Sequence, residues 1–460
     1  MLLKNSIKGI AKLINKNNVL TTKEERYCYA VDAFNSPFTG IKPDCILFPE
    51  TIDDVQKIVK YANQHNIPIV TRGAGTNMVG ACVCTKGGIV LNMSKMNRIL
   101  NIDPINMTAS VEAGVILGNL KASAEEFGLF FPPDPSNYKV STVGGAIAQS
   151  SGGAMSFKYG TTKDYVLSLK VVTADGELHT FGAQTTKDAS GYHIAQMFVG
   201  SEGTLGIVVE AVLKLIPKPQ TSNVVVAYFN SAEDALNAVN EIHTSNIFPA
   251  AIEYLDNNAV KTIEEYTHCH FKTCYDSLLL IELDGDEKSV SSQIDKVINI
   301  LKTSNTTKIY IPSTKSDYDR IWTARRSSYA AATKIAPDII SDDIIVPRKY
   351  IPEIISKCRE LADKYNLSMC LIGHIGDGNL HPQVALNTQN SIEYSNYINA
   401  KSELYEKVIS CGGTLSAEHG IGLAKKEYLS KFIDKSAIEY MRMIKKVFDP
   451  KGILNPDKIF

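Results

Sequence analysis

Three glycine-rich stretches lie in the first half of the chain. They are Arg72-Gly73-Ala74-Gly75-Thr76-Asn77, the five glycines from Gly144 to Gly160, and Gly200-Ser201-Glu202-Gly203-Thr204-Leu205-Gly206. Glycine lets a backbone approach a ligand closely, or simply turn tightly. Successive N–H groups in such a stretch can point into one concavity and hold phosphate oxygens. Three stretches in one domain, with Pro132-Pro133-Asp134-Pro135-Ser136 nearby, imply a long ligand that the backbone touches repeatedly. A dinucleotide is the natural candidate, against the alternative of a loop-rich fold without a ligand. The commonest fingerprints fail: Met78 breaks Gly-x-Gly-x-x-Gly, and Ala81 after Gly80 breaks the P-loop. A nicotinamide dehydrogenase is disfavoured for that reason.

The periodicity around these stretches alternates. Thr51 to Ala62 predicts a capped helix with Val55, Ile58, Val59 and Ala62 on one face. Strands are expected at 67–70, 88–92, 108–112, 167–173 and 207–215, and a helix at 116–127. This alternation indicates an α/β domain. Pro217 and Pro219 mark a boundary. Strand–helix units then resume, with strands at 224–229, 278–283 and 367–372 and helices at 232–242, 289–301 and 350–365. The run Asp449 to Pro456 reads as a rigid tail.

A length of 460 residues suits two or three domains. A formal charge of -1 rules out a broadly basic nucleic-acid binder. No apolar run reaches the ~18 residues of a membrane span. The nine cysteines are irregularly spaced without a Cys-x-x-Cys pair, which fits a reduced, cytoplasmic setting and no iron–sulfur site. Leu3, Ile7, Ile10 and Ile14 with interleaved lysines predict an amphipathic first helix over 1–16. It docks on the domain, with peripheral membrane attachment as the alternative.

Further along, Gly373-His374-Ile375-Gly376-Asp377-Gly378-Asn379-Leu380-His381 carries two histidines. On a continuous helix they would sit about 10 Å apart, too far to share a metal. The intervening Gly-Asp-Gly-Asn breaks any helix and can fold the chain back. Glu418 and His419 add a carboxylate and an imidazole. Two imidazoles and a carboxylate leave coordination positions open, as a catalytic metal requires. Trp322 precedes Arg325 and Arg326, which could grip a carboxylate but on the residues alone read as a surface charge pair.

Together these motifs resemble the glycolate oxidase D-subunit and D-lactate dehydrogenase group of FAD-linked D-2-hydroxyacid dehydrogenases. The resemblance runs from about Lys42 to Phe460 through Arg72 to Thr76, Thr142-Val143-Gly144-Gly145, Gly200 to Gly206, Gly373 to His381, Ala417 to Gly420 and Gly452 to Pro456. It implies an α+β chain with a two-part FAD-binding domain of the vanillyl-alcohol-oxidase type and an α/β substrate or cap domain. The expected boundaries are 1–219, 220–415 with the metal site, and 416–460 returning to the FAD domain. It implies FAD contacts from Gly73, Gly75, Thr76, Asn77, Thr142, Gly145, Ser151, Gly203, Ile207 and Asn455. His374, His381 and Glu418 match the family's metal ligands, for zinc, iron or manganese. His419 matches its catalytic base and Arg325 its substrate-carboxylate ligand.

Two departures narrow the substrate. Relatives specific for 2-hydroxyglutarate carry a lysine where this chain has Ser341-Asp342-Asp343, and an asparagine where it has Gln383. A small monocarboxylate is expected instead, D-lactate first and glycolate second. No histidine flanks the first glycine loop, so the FAD is expected to be non-covalent. The electron acceptor implied by the resemblance is a protein, an electron-transferring flavoprotein first, with an oligomer left open. An oxygen-using oxidase and a flavin-free metal hydrolase are the alternatives.

Overall fold

The computed structural model describes residues 9, 10, 12–34 and 41–460. Most of the expected first helix lies outside the described residues, though Ile10 and Ile14 are buried in the core. The chain forms two units. The first comprises Met1–Ser151, Thr161–Lys218 and Glu418–Phe460, and the second Gly152–Gly160 and Pro219–Ala417.

In the first unit, Cys45–Leu47, Ile89–Asn92 and Ile69–Arg72 form a parallel set, with Val19–Leu20 added antiparallel at one edge. Parallel neighbours need a crossover. Helix Ile52–His65 supplies it between the strands at 45–47 and 69–72. Thr51 caps this helix, accepting from the Asp54 N–H at 3.1 Å, and its buried face is Val55, Ile58, Val59 and Ala62. The first glycine loop therefore leaves the C-terminal end of a parallel strand, where open α/β sheets bind ligands. The tail joins the same strand, because Ile69 bridges Leu454 in parallel and accepts from the Asn455 N–H at 2.7 Å.

A second sheet in this unit is antiparallel. Its order is Ile99–Asp103, Thr108–Glu112, Ile207–Lys214, Val166–Val172 and Leu178–Gly182. Helices Leu117–Glu125 and Val143–Gln149 share its apolar core. Gly144 and Gly145 thus belong to a helix, not a turn. A Cβ on Gly144 would strike the Ala113 Cβ at 2.8 Å, so the glycine serves close packing.

The second unit is built on one antiparallel sheet. Its order is Lys308–Tyr310, Thr221–Phe229, Ser277–Gly285, Ala251–Asp256, Ser368–His374, Asn379–Leu386 and Asp338–Ser341. Ile344–Ile345 also pairs with the strand at 379–386. The strand expected at 278–283 runs on to Gly285. Glu282 and Asp284 are buried with partners: Trp322 Nε1 donates to Glu282 Oε2 at 3.0 Å, and Tyr159 Oη to Asp284 Oδ2 at 2.6 Å. Among the described residues, no helix is long and apolar enough to cross a membrane.

Candidate active site

The Gly-Asp-Gly-Asn break folds the chain into a β-hairpin. His374 pairs with Asn379 and Ile372 with His381, which sets the two histidines diagonally on one face. Their rings lie 5.2 Å apart and nearly perpendicular. Gly378 makes the turn possible: its φ is +98°, and a Cβ there would meet the Val346 carbonyl oxygen at 2.2 Å.

His374 faces a buried carboxylate on the neighbouring strand, and His381 faces one in the link between the strands at 338–341 and 344–345. Glu253 lies one step along from the Tyr254–Gly373 pair. Its Oε1 is 2.6 Å from His374 Nδ1. Its Oε2 accepts from Arg325 Nε at 2.6 Å. Burial by itself pushes the Glu253 carboxyl pKa up, yet Arg325 and His374 hold it below its ordinary value. One ionised carboxylate thus grips a guanidinium and an imidazole together. Arg325 is only 4% exposed, at the end of helix Lys315–Arg326. Its reading as a surface charge fails, because Glu253 supplies a buried counter-ion. Arg326 instead lies over the Trp322 ring.

On the other strand, His381 Nδ1 lies 3.3 Å from the Asp342 carbonyl oxygen and 3.9 Å from Asp343 Oδ1. Asp343 also accepts from Asn379 Nδ2 at 2.9 Å, Ser416 Oγ at 2.7 Å and the Ala417 N–H at 2.9 Å. Asp342 is buried against Tyr397 Oη, Tyr405 Oη and Lys401 Nζ, at 3.0, 2.7 and 3.3 Å. Both Nδ1 atoms face acceptors. Metal-binding histidines are oriented in this way, so the pair fits a metal of the expected kind.

In the first unit the first and third glycine stretches meet the segment at 142–150. A Cβ on Gly73 would lie 2.2 Å from Thr142 Oγ1. Thr142 caps helix Val143–Gln149 by accepting from the Gly145 N–H at 3.2 Å. Gly75 and Thr76 continue the loop after Arg72. Ser151 accepts from Thr162 Oγ1 at 2.7 Å, which closes the unit around the excursion at 152–160. Gly203 precedes Ile207, the buried first residue of its strand, paired with Val172. A Cβ on Gly203 would meet nothing nearer than the Thr71 Cβ at 3.8 Å. Asn455 Nδ2 donates to the Ala81 and Glu202 carbonyls at 2.8 and 2.6 Å, while its buried Oδ1 has no protein partner. The clear space at Gly200 and Gly203 with an orphaned buried amide oxygen fits a bound dinucleotide. His419 belongs to this unit, and its carbonyl accepts from Asn77 Nδ2 at 3.2 Å. His419 Nε2 lies 3.9 Å from Glu418 Oε1.

A fold of this kind with these loops defines a flavoprotein, and comparison with known proteins agrees. The family model for the C-terminal domain of FAD linked oxidases matches residues 218–459, and that for the FAD binding domain matches 43–182. The chain belongs to the FAD-linked oxidase family and is an FAD-dependent oxidoreductase. Within that class it is similar to the glycolate oxidase subunit GlcD of Bacillus subtilis (strain 168), 40% identical over 95% of this chain and 92% of that one. It is also similar to the D-lactate dehydrogenase of Archaeoglobus fulgidus, 35% identical over 90% of each. Its fold is that of p-cresol methylhydroxylase, with a TM-score of 0.83 at 18% identity over 98% of this chain and 95% of that one.

Sequence reasoning missed Glu253, Asp343 and Lys401. The one signal for Glu253 is a lone carboxylate inside the apolar run Ala250 to Leu255, where an ionised group needs a buried partner.

Proposed function

We propose that the enzyme oxidises a small D-2-hydroxy acid, D-lactate or glycolate, to the 2-oxo acid. The observation that carries this reading is the Glu253 carboxylate, which holds Arg325 and His374 side by side. An alkyl 2-hydroxy acid presents one carboxylate and one adjacent hydroxyl. Arg325 is the group for the carboxylate, through the planar two-pronged geometry of a guanidinium. His374 and His381 would hold a divalent cation that lowers the pKa of the C2 hydroxyl. Glu418, the third expected ligand, belongs to the other unit and rests on the family resemblance. FAD held by the glycine loops would supply the two-electron acceptor for the hydride from C2. His419 takes the hydroxyl proton, so that proton and hydride leave by separate routes. Asn77 and the glycine loops hold and orient the cofactor, which is expected to be non-covalently bound.

The electrons then pass to a protein acceptor, for which an electron-transferring flavoprotein is the leading candidate. The names of relatives support a protein acceptor: one, 31% identical over 97% of this chain, is the D-lactate dehydrogenase [cytochrome] of Arabidopsis thaliana. The test of the site is His419→Ala. The variant should keep its yellow FAD and lose flavin reduction by about 100-fold or more. Reduction at the wild-type rate would refute the base assignment.

A further inference from the structure

Resting on His419 as the base, we propose that Glu202 is a positioning residue that holds the base-bearing turn His419-Gly420-Ile421-Gly422 in register with the FAD loops.

Glu202 sits in the third glycine stretch with a φ of +52°, a conformation seldom adopted by residues with a side chain. Its own N–H donates to the Ala148 carbonyl at 2.8 Å. Its carbonyl accepts from Asn455 Nδ2 at 2.6 Å. Its side chain is buried and accepts twice from the turn after His419. Oε1 takes the Ile421 N–H at 2.6 Å, and Oε2 takes the Gly422 N–H at 2.9 Å. One residue thus joins the helix at 143–149, the C-terminal tail and the base turn.

The turn has little room to shift. A Cβ on Gly420, whose φ is +86°, would meet Gln149 Oε1 at 2.5 Å and Glu202 Oε1 at 2.8 Å. On its far side, Leu423 donates its N–H to the Val79 carbonyl at 2.8 Å. Asn77 holds the His419 carbonyl itself. Two charge-assisted bonds in a dry interior are strong and directional. Burial pushes the Glu202 carboxyl up to about 7, against the pull of the Ile421 and Gly422 N–H groups and of Lys458 and Lys425. A leucine or glutamine would spare that cost, but neither offers two acceptor oxygens to two converging N–H groups.

The test is a double-mutant cycle on the FAD-loaded enzyme, read by stopped-flow flavin reduction with D-lactate. Glu202→Gln keeps the shape but faces one N–H with an amide donor. It should retain FAD and leave the substrate dissociation constant within about twofold, while reduction slows about tenfold or more. In a His419→Ala background, Glu202→Gln should slow reduction no further. Wild-type reduction in Glu202→Gln, or an equal additional loss in the His419→Ala background, overturns the proposal. A His419→Ala enzyme that reduces at the wild-type rate fails the base reading instead, whatever Glu202→Gln does. If Glu202→Gln comes out without FAD, Glu202→Asp keeps the charge on an arm one methylene shorter and is judged by the same criteria. Loss of FAD from both variants assigns Glu202 to cofactor retention and overturns the positioning role.

Discussion

Glu253 holds the Arg325 guanidinium and the His374 imidazole at once, so the proposed function makes it a positioning residue for both. Glu253→Gln preserves its volume and removes its charge. The loosened orienting partner of His374 should lower metal affinity by about 10- to 100-fold. The freed Arg325 should raise the substrate KM by about tenfold. FAD content should stay unchanged, because the FAD loops belong to the other unit. Metal analysis and steady-state kinetics check both effects, and unchanged values for both would contradict the role. Glu253→Ala should cost stability as well, by about 3 kcal/mol or more, because it strands a buried guanidinium. At this level the sequence revealed residue types better than their surroundings. His374 and His381 stood out by motif, whereas Arg325 read as a surface charge until the family resemblance singled it out. Their carboxylate partners did not stand out, because Glu253 and Asp343 come from segments distant in sequence.

Among the elements, those with a strong local period were legible. Helix Ile52–His65 announces itself by its cap and its apolar face, and Thr51→Ala should cost about 1 kcal/mol. The strand at 251–256 and the hairpin partner at 379–386 were not foreseen. Both are buried along their whole length, so neither alternates between apolar and polar residues, and their polar members are satisfied only by tertiary partners. The tail at 449–455 is rigid for a definable reason. Asp449 accepts from the Ile453 N–H at 3.0 Å and the Leu454 N–H at 2.8 Å. Lys445 pairs with Asp449 and donates to the Thr204 carbonyl at 2.6 Å. Asp449→Ala removes both acceptors and leaves Lys445 unbalanced. The expected cost is about 2 kcal/mol or more, together with weaker FAD retention, since Asn455 follows directly. Thermal unfolding and a spectral FAD titration test this. Full FAD affinity in the variant would contradict it.

Among the described residues, three buried carboxyls set an unusual pH response, with Asp32 raised by burial to about 6 at the acid side of it. Burial lifts Glu202 and Glu282 from an ordinary 4.5 to about 7, and Asp256 from 3.8 to about 7. The folded chain therefore binds more protons than the unfolded chain between about pH 4.5 and 7, and these groups lower stability as pH rises through that window. His243 acts oppositely, since burial depresses it from 6.5 to about 4, but its contribution ends near 6.5. The melting temperature should fall from about pH 6 to about pH 8, and Glu282→Gln should flatten that fall. A profile unaltered by the substitution would contradict the assignment. The fold class was legible through the motifs that carry the family resemblance, since the alternation of elements by itself indicated only an α/β domain. The antiparallel character of the second sheet was not, because strand direction leaves no local mark on a buried strand. The central claim is that FAD in this chain is reduced by a D-2-hydroxy acid. An anaerobic visible spectrum of the purified, FAD- and metal-loaded protein tests it most directly, before and after D-lactate or glycolate, with L-lactate as control. The flavin band should bleach with D-lactate or glycolate and persist with L-lactate. A flavin band that neither D-lactate nor glycolate bleaches would contradict it.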